Sequence, residues 1–279
     1  MPAFETPQPI TVTIDLSVGD VRLDAGDRID TVVEVLPSDP RNELDAKAAE
    51  NTRVEYTGGQ LLVKGPKQRQ LFGRAGSIDV RVELPSGSEI RAVAQTAAFR
   101  GTGRLGECRF KTSIGDVQVQ ETGPLIAASS LGDISADRVE GAAEVTTGSG
   151  AVRIGEIEGQ AVIKNSNGDT LVRSVTGDLR VKAANGGISV DRALAAVEAK
   201  TANGDIRISE VVHGSVVLGT SSGQLDIGVR AGTSAFLDVR TKSGRVYNFM
   251  TATDGPGTAE ARVEVYASTS RGDIAVRRV

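Results

Sequence analysis

A chain of 279 residues with 39% apolar content can bury a core, but 3% aromatic residues, no Trp and 33 Gly restrict that core to Val, Ile, Leu and Ala. A formal net charge of −4 without any dense Lys/Arg run argues against nucleic acid or an anionic membrane as a partner. No segment has the apolar length of a membrane span, Met1-Pro2-Ala3-Phe4-Glu5-Thr6 lacks a leader pattern, and Cys108 alone cannot close an intrachain disulfide, so a cytoplasmic location is expected, with export by a route not visible in the sequence as the alternative.

Residues 1–87 read as a β-rich N-terminal cap containing one short helix. Ile10-Thr11-Val12-Thr13-Ile14-Asp15-Leu16 alternates, and Val18-Gly19-Asp20 then predicts a hairpin-like return through Val21-Arg22-Leu23. Thr31-Val32-Val33-Glu34-Val35 is a further strand, and Arg41 to Glu50 is rich in helix formers. Val54-Glu55-Tyr56 and Gln60-Leu61-Leu62-Val63-Lys64 flank Thr57-Gly58-Gly59, a hairpin signal. Lys67-Gln68-Arg69-Gln70 reads as a surface loop, and Ile78 to Leu84 as the last strand before Pro85-Ser86-Gly87.

From residue 88 two glycine ladders alternate along the chain. Gly115, Gly132, Gly150, Gly168, Gly186, Gly204 and Gly223 recur about every 18 residues. Gly123, Gly141, Gly159, Gly177, Gly214 and Gly232 sit half a period away, with Ala195 in the gap. Each coil therefore has two corners and two short strands. Aliphatic residues stack in the same period. Val145, Ile163, Val181, Val197 and Leu218 form one column; Val117, Ile134, Val152, Ile188, Ile206 and Leu225 form another, which Thr170 interrupts. Val119, Ile154, Val172, Val190, Ile208 and Ile227 lie two residues further on, so both columns belong to one inward strand face. One coil cannot bury its own apolar face, so coils must stack. The expected fold is all-β, a parallel β-solenoid of β-helix or β-roll type spanning 88–279. It ends in a loop at Thr253-Asp254-Gly255-Pro256-Gly257 and an aromatic C-terminal cap built from Phe236, Tyr247 and Phe249.

The corners Ile114-Gly115-Asp116-Val117, Leu131-Gly132-Asp133-Ile134 and Asn203-Gly204-Asp205-Ile206, preceded by Val82-Glu83-Leu84-Pro85-Ser86-Gly87, resemble a bacterial family of β-strand-repeat domains of unknown function, the "putative adhesin" family. The resemblance extends over nearly the whole chain. It implies a structural or binding role and supplies no catalytic residues.

The candidate binding residues are Asp116, Asp133, Asp169 and Asp205, which follow corner glycines and would form a column of carboxylates. Ala151, Gly187 and Gln224 interrupt that column, so it lacks the full pattern of a Ca²⁺ roll, and Asp suits turns for backbone reasons alone. Asn167, Asn185 and Asn203 precede the glycines and can hydrogen-bond along their own ladder. His213 is the only histidine, and the apolar spacing Val145, Val152, Ile154, Ile157 does not follow the hexapeptide rule of left-handed acyltransferases. Arg271-Gly272-Asp273 coincides with a repeat corner. No catalytic residue, metal site or cofactor is predicted. The expected function is a non-enzymatic scaffold or interaction module for a protein partner or for copies of itself. A surface adhesin and a β-helix carbohydrate-active or acyl-transfer enzyme are the alternatives.

Overall fold

Inward aliphatic and outward polar residues, interrupted at fixed intervals by glycine, form short parallel strands wound into coils. The computed structural model describes residues 2–66, 76–250 and 261–279. The loops expected at 67–70 and 253–257 lie outside the described residues. The chain divides into two compact units, Met1–Glu140 and Gly141–Val279, and each is a parallel β-solenoid.

The first unit contains β1 (Ala3–Glu5), β2 (Thr11–Gly26), β3 (Asp30–Pro37), α1 (Glu43–Glu50), β4 (Arg53–Thr57), β5 (Gln60–Lys64) and β6 (Ile78–Pro85). It continues through β7 (Glu89–Thr96), β8 (Phe99–Leu105), β9 (Cys108–Ile114), β10 (Val117–Thr122), β11 (Leu125–Leu131) and β12 (Ile134–Val139). The expected hairpin at Gly19 is not formed. Instead β2 runs through a coil corner at Gly19, so its first half pairs with β5 and β7 and its second half with β6 and β8, all in parallel. Val12 faces Leu61 and Ile90, and Val21 faces Val80 and Phe99. The later coil of β5 and β6 thus lies outside β2, and β2 is held on both sides.

That outer coil is itself covered. β3 pairs antiparallel with β6 and β4 with β5, the latter being the predicted hairpin. β1 adds to β3. The predicted helix α1 packs on β3 and β6. Asn42 caps it by accepting from Leu44 N–H at 3.0 Å, and buried Asp45 accepts from the backbone N–H groups of Asp39 (3.1 Å) and Ser77 (2.9 Å). Phe99 and Phe110 are buried together, with ring centroids 5.3 Å apart.

The second unit begins with β13 (Ala143–Ser149), β14 (Val152–Ile157), β15 (Ala161–Asn167), β16 (Thr170–Val175), β17 (Leu179–Asn185), β18 (Ile188–Ala193) and β19 (Val197–Asn203). It ends with β20 (Ile206–Val211), β21 (Gly214–Ser222), β22 (Leu225–Val229), β23 (Thr233–Ser243), β24 (Val246–Asn248), β25 (Ala261–Arg271) and β26 (Ile274–Arg278). Odd and even strands form the two walls of successive coils, with Val152, Thr170, Ile188, Ile206 and Leu225 in register as predicted. One column is corrected. Val181 faces Ala199, while Val197 belongs with Ala161, Leu179 and Val216, because the pairing follows the chain interval rather than side-chain size.

Chain order is exchanged at the end of this unit. β25 lies between β21 and β23, and β26 lies between β22 and β24. The outermost coil is therefore β23 and β24, and among the described residues each has a strand partner on one edge only. Phe236 and Tyr266 are in contact at 6.0 Å between centroids, Tyr247 and Phe249 at 6.3 Å, and all four rings are solvent-exposed.

Candidate interaction surfaces

The corners explain most of the polar pattern. At Gly186 and Gly204 the backbone has φ of +132° and +150°, and an added Cβ would come within 2.2 and 2.0 Å of the carbonyl oxygen of the preceding corner glycine. No other residue fits there. The Asp after such a glycine accepts a backbone N–H from the next coil. Asp116 accepts from Asp133 (2.8 Å), Asp169 from Gly187 (2.8 Å), Asp205 from Gln224 (2.7 Å) and, at the far end, Asp273 from Arg245 (2.8 Å).

Asp116 and Asp133 belong to the first unit, Asp169 and Asp205 to the second. In the second unit Gly187 separates Asp169 from Asp205 by a coil, about 10 Å at two strand spacings, so like charges are not adjacent. Among the described residues no group of three or more His, Cys, Asp or Glu is arranged to hold a metal ion. The outer Asn ladder forms as expected: Asn185 Nδ2 donates to Asn167 Oδ1 (2.9 Å) and Asn203 Nδ2 to Asn185 Oδ1 (3.0 Å).

A second, inward ladder was missed by sequence reasoning. Ser129 donates to the Gly115 carbonyl (3.0 Å), Asn165 to Gly150 (3.1 Å), Thr201 to Gly186 (3.2 Å), Thr220 to Gly204 (3.0 Å) and Thr269 to Gly223 (3.1 Å). The signal was present as a Ser, Thr or Asn three residues before most corner glycines, with Ala183 in that place before Gly186. These buried hydroxyls and amides satisfy corner carbonyls that would otherwise lack a partner inside the coil. Thr170 is different: it lies in an aliphatic column, fully buried, and its Oγ1 has no hydrogen-bond partner.

The potential nucleophile Cys108 is buried, and burial pushes its thiol pKa up to about 12, so it stays protonated. His213 is exposed at the corner before β21. Arg271, Gly272 and Asp273 form an ordinary corner, with Gly272 at φ +143° and Asp273 bonded to Arg245.

Two shallow grooves lie on the outer faces of the second unit. One, of about 470 Å³, follows the register row Arg153, Leu171, Ser189 and Arg207, with Asp169 and Asp205 along its side. Leu171 is 41% exposed at its centre. The other, of about 290 Å³, follows Val162, Arg180, Glu198 and Val217 on the opposite wall. Arg180 bonds Glu198 across one coil at 2.8 Å, and Lys200 and Arg180 hold the Glu198 carboxyl below its ordinary pKa. Arg192 does the same for Glu210, aided by Arg230 and opposed by desolvation.

The family model Toastrack DUF4097 matches residues 11–277. No curated protein matches. Among solved structures, a protein of Bacteroides fragilis described as a putative adhesin is 11% identical, with a TM-score of 0.41, over 100% of this chain and 95% of its own. A second so described, from Parabacteroides merdae, is 14% identical, with a TM-score of 0.46, over 81% and 94%. A structure from Parabacteroides distasonis described as a putative lipid binding protein is 11% identical, with a TM-score of 0.28, over 100% and 95%.

Proposed function

We propose, from the premise that the chain belongs to the Toastrack DUF4097 family, that it is a non-enzymatic binding module whose outer strand rows receive a protein partner. The observation that carries this reading is the row Arg153, Leu171, Ser189 and Arg207. It combines an exposed aliphatic centre with cationic ends along a shallow groove on a strand wall. Such a row can bury an apolar anchor and fix its register by charge. The corner acids favour the same conclusion, because their Oδ1 atoms are engaged by backbone N–H groups.

The test is capture from the source cell with wild-type protein and with Leu171→Glu. The reading predicts a partner retained by the first and lost by the second at unchanged circular dichroism. Equal retention by both would contradict it. The proposal includes a cytoplasmic location, which cell fractionation checks; recovery at the cell surface would instead favour an adhesin.

A further inference from the structure

The longest strand edge left open among the described residues belongs to β23, and its sequence complements itself. β23 is 11 residues long and pairs only with β25, so one row of its N–H and C=O groups has no strand partner. Edges of this kind recruit further strands. We propose that a second copy of this chain docks there, its β23 antiparallel to the first and centred on Val239, so that two chains close as a two-fold pair. The inference rests on the binding-module reading and names the partner for one edge.

Centring on Val239 sets Asp238 opposite Arg240 of the copy, Phe236 opposite Lys242 and Leu237 opposite Thr241, each twice by symmetry. Opposite charges meet, and each lysine meets a ring. Neighbouring registers lose this match: a centre at Asp238 sets that carboxylate against itself, and a centre at Arg240 sets two guanidinium groups together. Within one chain Arg240 already bonds Asp238 at 2.9 and 3.0 Å, so pairing extends an existing ion pair into an alternating row of four charges. Phe236, 56% exposed, and its neighbour Tyr266 add apolar area on the outward face. In the first unit the outermost strands are short, 3 residues in β1 and 5 in β4, so they offer no comparable edge for continued growth. A closed pair is therefore favoured over a filament.

Light scattering over a wide concentration range tests the proposal. Wild type is expected to pass from monomer to dimer, and Asp238→Arg and Arg240→Asp each to dimerise at least about tenfold more weakly, since two symmetric pairs become repulsive. Mixing the two variants should restore a heterodimer, because the reversed charges of one then face those of the other. The double variant should recover wild-type behaviour, which also guards against misfolding as the cause. A wild type that stays monomeric at its solubility limit, or a dimer indifferent to both reversals, overturns the proposal. If such a monomer still retains a partner through Leu171, the pairing fails while the binding-module reading stands.

Discussion

The outermost coil of the first unit and that of the second are built by the same exchange of chain order and finished in opposite ways. In the first unit β2 is enclosed between later strands, and the outer coil of β5 and β6 is covered by β3, β4 and α1. In the second unit β25 and β26 are enclosed in the same manner, yet nothing among the described residues covers β23 and β24. The difference lies in what each edge is equipped to do. Short antiparallel strands and a capped helix terminate a sheet, whereas a long edge with exposed rings leaves it available.

The contrast between enclosed and open coils can be broken most severely at a corner glycine. Gly204→Ala should cost roughly 3 kcal/mol or more, because φ is +150° and the new Cβ meets a carbonyl oxygen at 2.0 Å. Gly232→Ala, at φ +80° with open space around it, should cost only about 1 kcal/mol. Denaturant melts of both variants check the pair. Next, Leu23→Ala in the enclosed first coil should lose about 3 kcal/mol, since Leu23 is fully buried. Leu237→Ala in half-buried β23 should lose no more than about 1 kcal/mol. Equal losses would show that the two ends are packed alike.

Smaller effects sharpen the comparison from within the second unit. Thr170→Val removes an unpartnered hydroxyl from an aliphatic column and should stabilise by about 1 kcal/mol, read as a higher melting midpoint. The smallest effect is acid sensitivity. Glu198 and Glu210 have pKa values lowered by their Lys and Arg partners in the folded state, so they contribute stability above the unfolded Glu value of about 4.3. That contribution disappears as pH falls through their lower folded values. Glu210→Gln should reduce this acid-range loss in a pH series of thermal melts, with Arg192 and Arg230 left unpaired.

The coil was legible in the sequence because its corners admit only glycine, so Gly186 and Gly204 mark the period without further knowledge. The inward columns were legible where bulk was regular and failed at Val197, where a large residue sits one column away from Ala199. Long-range pairing was not legible at β2: Gly19-Asp20 looks locally like a turn, and the strands that make it a coil corner lie far along the chain. The exchange at β25 was hidden for the same reason. Of the proposed site residues, the Asp column was visible as a pattern, but its bonds to backbone N–H groups depend on the coil stacking that the structure supplies. The row through Leu171 was overlooked because a single exposed leucine has meaning only beside Arg153 and Arg207.

The central claim, a covered outer coil in the first unit and an open one in the second, is tested most directly by hydrogen exchange with residue resolution on dilute, monomeric protein. The account predicts strong protection through β5 and β6, with alternate amides of β23 exchanging at rates close to those of unstructured chain. Uniform protection along β23 in the monomer, equal to that of β6, would contradict it.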